Sequence, residues 1–114
     1  DEALDDVVRR EALEEAGCRV TELMPMMRCL VSPGILTESV ALYCGRTETA
    51  GLGGIHGLAA EGEDIRAFVM ALDAAVALVN EGKVTNIAAA VSVQWLALNR
   101  GRLAEIVRTG SASP

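Results

Sequence analysis

At 114 residues the chain is at most one small domain, large enough for a real core, and its 51% apolar content makes it globular rather than disordered. Aromatic residues reach only 3%, so the core must come from Leu, Val, Ala and Ile. A net charge of −6, from 16 acidic and 10 basic residues, argues against a nucleic-acid duplex as partner, which wants a basic footprint.

The first predicted element is a helix over 3–16 that stops at Gly17, the residue suited to a left-handed C′ position. Its C-terminal end carries Glu11, Glu14 and Glu15, where the helix's own partial negative charge makes each anion cost a few tenths of a kcal/mol, up to about 1. Glu11 and Glu15 also repel as like charges at i,i+4, by roughly 0.2–0.5 kcal/mol. At about 100° per residue both project among Leu4, Val7, Val8 and Ala12, the side expected to face the core. No matching basic cluster answers them. A hard divalent cation such as Mg²⁺, which takes carboxylate oxygens, is the economical counter-charge.

Two strand-like runs follow, one over 19–31 interrupted near Pro25, the other over 39–46 with Val40, Leu42 and Cys44 alternating. Ser32-Pro33-Gly34 is the turn between them. The segment 47–63 holds five of the eleven glycines and little periodicity, and reads as a mobile loop. A third strand is expected over 65–72, ending at Asp73 as N-cap of a helix over 74–81 with Gly82 as its stop. The last helix, over 86–107, is apolar nearly all round through Ala88, Val91, Trp95 and Leu98, hence buried or at an interface. A frayed tail follows at 110–114, and no internal repeat is seen. The longest apolar stretch, 84–98, contains Thr85, Asn86, Ser92 and Gln94 and is too short and too polar to span a bilayer. Cys18, Cys29 and Cys44 are odd in number and lack metal-ligand spacing, which fits buried, reduced thiols of a cytoplasmic protein.

Read as a pattern, 2–18 is E-x7-R-E-U-x-E-E-x-G-U, with Glu2, Arg10, Glu11, Glu14, Glu15 and Gly17 at the specified positions and Ala12 and Cys18 in the apolar slots. This resembles the Nudix box, the signature of hydrolases that split nucleoside diphosphates linked to another moiety. The family's box opens on a glycine six residues before Glu2, whereas this sequence starts at Asp1. The resemblance therefore implies the C-terminal part of a single Nudix domain over 1–114. Its fold would be α/β, a mixed β-sheet packed between helices in an α/β/α sandwich, with the N-terminal strands missing from this chain.

Two further segments narrow the likeness to the ADP-ribose pyrophosphatase branch. The run 53–66 resembles that branch's glycine-rich loop, which places Glu61 as the base activating the attacking water and Glu63 as a closing metal ligand. Ser32-Pro33-Gly34 with Glu38 resembles its S-P-G-x-x-x-E substrate segment, although Ile35 and Leu36 are larger and less polar than the branch's usual residues. The run 86–100, with Gln94-Trp95-Leu96-Ala97-Leu98, is similar to its final helix. The resemblance implies Glu11 and Glu15 as the metal platform and Glu14 as a catalytic carboxylate reaching the metal directly or through water. Arg10 is implied as a structural partner of a carboxylate such as Glu2, and Pro33, Gly34 and Glu38 as substrate-binding residues. His56 reads as structural or incidental, and Trp95 as core or dimer packing.

The implied reaction is Mg²⁺-dependent hydrolysis of ADP-ribose to AMP and ribose 5-phosphate, with Mn²⁺ as a substitute metal. The implied partners are a small nucleoside diphosphate sugar and, in the full-length protein, a second copy in a homodimer, with neither nucleic acid nor membrane. Two other readings stay open: a pyrophosphatase acting on another nucleotide sugar such as GDP-mannose, and a catalytically silent dimerisation fragment.

Overall fold

The computed structural model describes residues 3–32, 34, 38–48, 50, 54–56 and 65–110. Their order is α1 (Leu4–Ala16), β1 (Val20–Leu30), β2 (Ser39–Thr47), β3 (Gly54–His56), β4 (Ile65–Ala67), α2 (Leu72–Asn80), α3 (Ile87–Leu98) and α4 (Arg100–Thr109), an α/β chain. Where a single mixed sheet was expected, the described strands form two separate pairs, β1-β2 and β3-β4. The chain divides into two units, Asp1–Leu23 with Gly45–Val69 and Met24–Cys44 with Met70–Pro114, so both long strands contribute to each.

In the first unit, α1 starts with Asp5 and Asp6 in its first turn, where the helix dipole favours anions. It stops at Gly17 as the sequence predicts: φ 67° and ψ 21° put the residue in the left-handed region. There the Gly17 N–H donates to Leu13 O at 3.0 Å and the Cys18 N–H to Ala12 O at 3.2 Å, satisfying two terminal carbonyls. The start of β1 runs antiparallel to the end of β2. Thr21 Oγ1 donates to Arg46 O at 3.2 Å and Thr47 Oγ1 to Arg19 O at 2.9 Å. Gly45 is needed here for space, since a Cβ would sit 2.9 Å from Val20 Cγ1.

Helix α1 packs against β3 and β4, which pair antiparallel in the register Gly54↔Ala67, Ile55↔Arg66 and His56↔Ile65. The expected loop over 47–63 thus contains a strand, and its remaining tip, 57–63, lies outside the described residues. The expected strand over 65–72 is shorter, β4 ending at Ala67. Phe68, Val69 and Met70 beyond it are exposed.

In the second unit, β1 runs through Pro25 without the expected interruption. The Val31 N–H donates to Glu38 O at 3.0 Å across the connection to β2, and Gly34, at φ 88°, lies within that connection. Asp73 proves to be an interior residue of α2's first turn; the N-cap position belongs to Ala71, which has no side chain able to accept. At the other end Gly82 acts as the predicted stop. Its N–H donates to Val79 O and that of Lys83 to Leu78 O, both at 3.0 Å, a Schellman closure.

The single helix expected over 86–107 is two. Asn86 caps α3, its Oδ1 accepting from the Ala89 N–H at 3.0 Å. Asn99 ends it: the Nδ2 donates to Trp95 O at 2.8 Å while the backbone leaves the helical well at φ −111°, and α4 restarts with Leu103 N–H donating to Asn99 O. Arg100 at the head of α4 pairs with Asp73 at the head of α2. No residue of α3 is buried, and Ile87 and Leu98 are 81% and 87% exposed, so burial of this helix within the chain, one of the two expected states, is not seen. Among the described residues only Met24 and Ile106 are buried. The cysteines are unpaired, but not buried as expected: Cys29 is exposed and Cys18 and Cys44 are half-buried. None of the described helices is long and apolar enough to cross a membrane.

Candidate functional site

The acidic end of α1 is the one candidate constellation that the described residues hold together. Glu11 is exposed, Glu14 and Glu15 are half-buried, and the last turn contains no basic residue to offset the helix's negative end. Helical geometry sets Glu11 and Glu15 one turn apart on one edge. Arg10 Nη1 donates to Glu14 Oε2 at 3.4 Å, an i,i+4 pair with the cation on the N-terminal side. That order opposes the dipole, and the pair is largely exposed, so it holds Glu14 only loosely. The carboxylate partner anticipated for Arg10, Glu2, lies outside the described residues, as do Pro33, Glu61 and Glu63.

The donor chemistry of Glu11 and Glu15 suits a hard divalent cation, which takes carboxylate oxygens. Among the described residues, no group of three or more His, Cys, Asp or Glu side chains assembles, so a complete coordination shell needs donors from elsewhere. Glu38 and Gly34, in the second unit, occupy the β1–β2 connection, where Glu38 is exposed and its backbone carbonyl takes the Val31 N–H. His56 lies on β3, paired through its backbone with Ile65.

Two features of the first unit escaped the sequence reading. Arg9, at an unspecified position of the box, donates through Nη1 to the carbonyl of Val20 and so ties α1 to the first residue of β1. Arg46 Nη1 meets Glu22 Oε1 at 3.0 Å across the β1–β2 pair, leaving Glu22 Oε2 buried without a partner. Nothing in the spacing marks either pair, because each joins residues more than ten apart. Burial of the Cys44 thiol, in the second unit, raises its pKa.

No family model matches the chain. An acid-ended helix stopped by glycine, set in an α/β chain, nevertheless has clear relatives. The ADP-ribose pyrophosphatase of Escherichia coli K12 is 42% identical over 102 residues, covering 90% of this chain and 49% of that protein. The ADP-ribose pyrophosphatase of Haemophilus influenzae is 40% identical over 99 residues, covering 87% of this chain and 46% of that protein. These likenesses support assignment of the chain to the ADP-ribose pyrophosphatase (Nudix) family. It spans about half the length of the curated relatives it matches.

Proposed function

We propose that this chain carries the metal-binding helix and the water-activating loop of an enzyme that hydrolyses the pyrophosphate of ADP-ribose to AMP and ribose 5-phosphate. The observation that supports it most is the acidic end of α1, a charge arrangement that weakens the helix and makes sense as a cation platform. In this reading Glu11, Glu15 and Glu63 hold Mg²⁺, or Mn²⁺ in its place. Bound metal neutralises the pyrophosphate and lowers the pKa of a water beside it. Glu61 accepts the proton of the water that attacks phosphorus, and Glu14 completes the carboxylate set beside Arg10. Pro33, Gly34 and Glu38 contact the substrate, and Glu2, Arg10 and Gly17 keep the box in shape. The segment 1–114 then forms the C-terminal part of a single α/β/α sandwich domain, in a homodimeric cytoplasmic enzyme.

The difficulty of this reaction is charge. Water must approach a phosphorus surrounded by anionic oxygens, and cations held by carboxylates would offset that charge. A panel of ADP-ribose and GDP-mannose, with and without Mg²⁺, tests the reading. AMP and ribose 5-phosphate released from ADP-ribose in equal amounts support it, whereas turnover of GDP-mannose alone reassigns the substrate. No turnover of either, in protein that is folded, points to a silent module.

A further inference from the structure

We propose that Arg9 is a positioning residue for the acidic platform, acting through the Val20 carbonyl; this rests on the functional reading above and deepens it. Helix α1 is attached to β1 covalently through the three-residue link 17–19, which contains the left-handed Gly17. A link of that length turning at a glycine acts as a pivot, so the tilt of the helix is set by its packing on β3 and β4 and by side-chain anchors. The Arg9 guanidinium, eight residues upstream of the pivot, is such an anchor, holding α1 to β1 directly. Glu11, Glu14 and Glu15 all lie between the two.

The lever arm makes this anchor matter. At 1.5 Å per residue, Glu11 stands about 9 Å from the pivot and Glu15 about 3 Å, so a tilt of about 10° moves them by about 1.6 Å and about 0.5 Å. Metal-ligand distances tolerate only about ±0.2 Å, and a misplacement of about 1 Å at a reacting centre can cost on the order of 10²-fold in rate. The anchor itself is firm. The residues on either side of Val20 are bonded to β2, Arg19 through its carbonyl to Thr47 Oγ1 and Thr21 through its hydroxyl to Arg46 O. The Val20 side chain lies against Gly45, where no Cβ fits.

Arg9→Met and Arg9→Lys, in the protein that carries this chain, test the assignment by three readouts: Mn²⁺ affinity by electron paramagnetic resonance, kcat and KM for ADP-ribose, and the melting temperature without metal. Arg9→Met is expected to raise the Mn²⁺ dissociation constant about tenfold, equivalent to about 1.4 kcal/mol, and to lower kcat with little change in KM. Arg9→Lys, whose ammonium also donates to a carbonyl, is expected to restore most of both. Should Arg9→Met not fold, Gly45→Ala displaces Val20 from the other side and is expected to weaken Mn²⁺ binding in the same sense. A merely structural role would lower the melting temperature of Arg9→Met and leave the Mn²⁺ affinity of the folded protein unchanged, which would overturn the proposal. A wild-type protein that neither binds Mn²⁺ nor releases AMP would instead overturn the functional reading, and this inference with it.

Discussion

Gly17→Ala places a Cβ on a residue held at φ 67°, ψ 21°, where an L side chain crowds the following carbonyl at a cost of about 1–2 kcal/mol. Alanine also restricts the unfolded chain, which returns about 0.4–1 kcal/mol, so the net loss is about 1 kcal/mol. For a domain of this size that lowers the melting temperature by about 3–6 °C. The alternative, in which the residue relaxes out of the left-handed region, forfeits the bonds to Leu13 O and Ala12 O and frees the acidic turn from its link to β1. Gly82→Ala is the internal control: it sits at φ 72° with nothing within 4 Å of an added Cβ, so it carries the same backbone cost without touching a carboxylate. Thermal melts followed by circular dichroism should show comparable losses for the two variants and a smaller loss for Gly17→Asn, since asparagine tolerates this conformation. Mn²⁺ binding should weaken for Gly17→Ala and not for Gly82→Ala. A Gly17→Ala variant as stable as wild type, with unchanged Mn²⁺ affinity, would show that the left-handed glycine neither stabilises α1 nor sets its acidic turn.

Asn86→Ala removes the acceptor for the Ala89 N–H and should cost about 1 kcal/mol in chemical denaturation, with Asn86→Asp retaining most of the stability. Iodoacetamide should label the exposed Cys29 well before the half-buried Cys44, read by peptide mass spectrometry under native conditions. Because burial raises the Cys44 pKa, the unfolded chain loses that proton first; its contribution to stability is intact at neutral pH and falls as pH rises into the alkaline range, and Cys44→Ala should flatten that slope. Glu61→Gln should lower turnover by about 10²–10⁴-fold with Mg²⁺ affinity intact, whereas Glu63→Gln should weaken Mg²⁺ binding as well. Equal Mg²⁺ affinities in the two variants would erase that division of roles.

Features governed by local chemistry were legible in the sequence. Gly17 and Gly82 stop their helices because only glycine enters the left-handed region freely, and β2 follows from the alternation of Val40, Leu42 and Cys44. The acidic end of α1 was equally plain, since its charges sit where the helix dipole opposes them. What escaped depends on partners distant in sequence. Strand β3 is three residues of a glycine-rich segment that earn their place only by pairing with β4, so no period announces them. The break falls at Asn99, whose amide turns back onto Trp95 O, and the apolar period that runs up to it does not announce it. Pro25 suggested a break that β1 does not show. Within the candidate site, the carboxylates of α1 could be named from spacing, but the bond from Arg9 to Val20 could not.

Whether the acidic end of α1 is a metal platform is tested by Mg²⁺-dependent release of AMP from ADP-ribose by the wild type and by the Glu11→Gln/Glu15→Gln double variant, assayed side by side with their Mn²⁺ affinities. The wild type is expected to bind Mn²⁺ and to release AMP and ribose 5-phosphate in equal amounts, and the folded double variant to lose Mn²⁺ binding together with turnover by orders of magnitude. A double variant that still binds Mn²⁺ and releases AMP at the wild-type rate would show that the acidic end of α1 is not the metal platform.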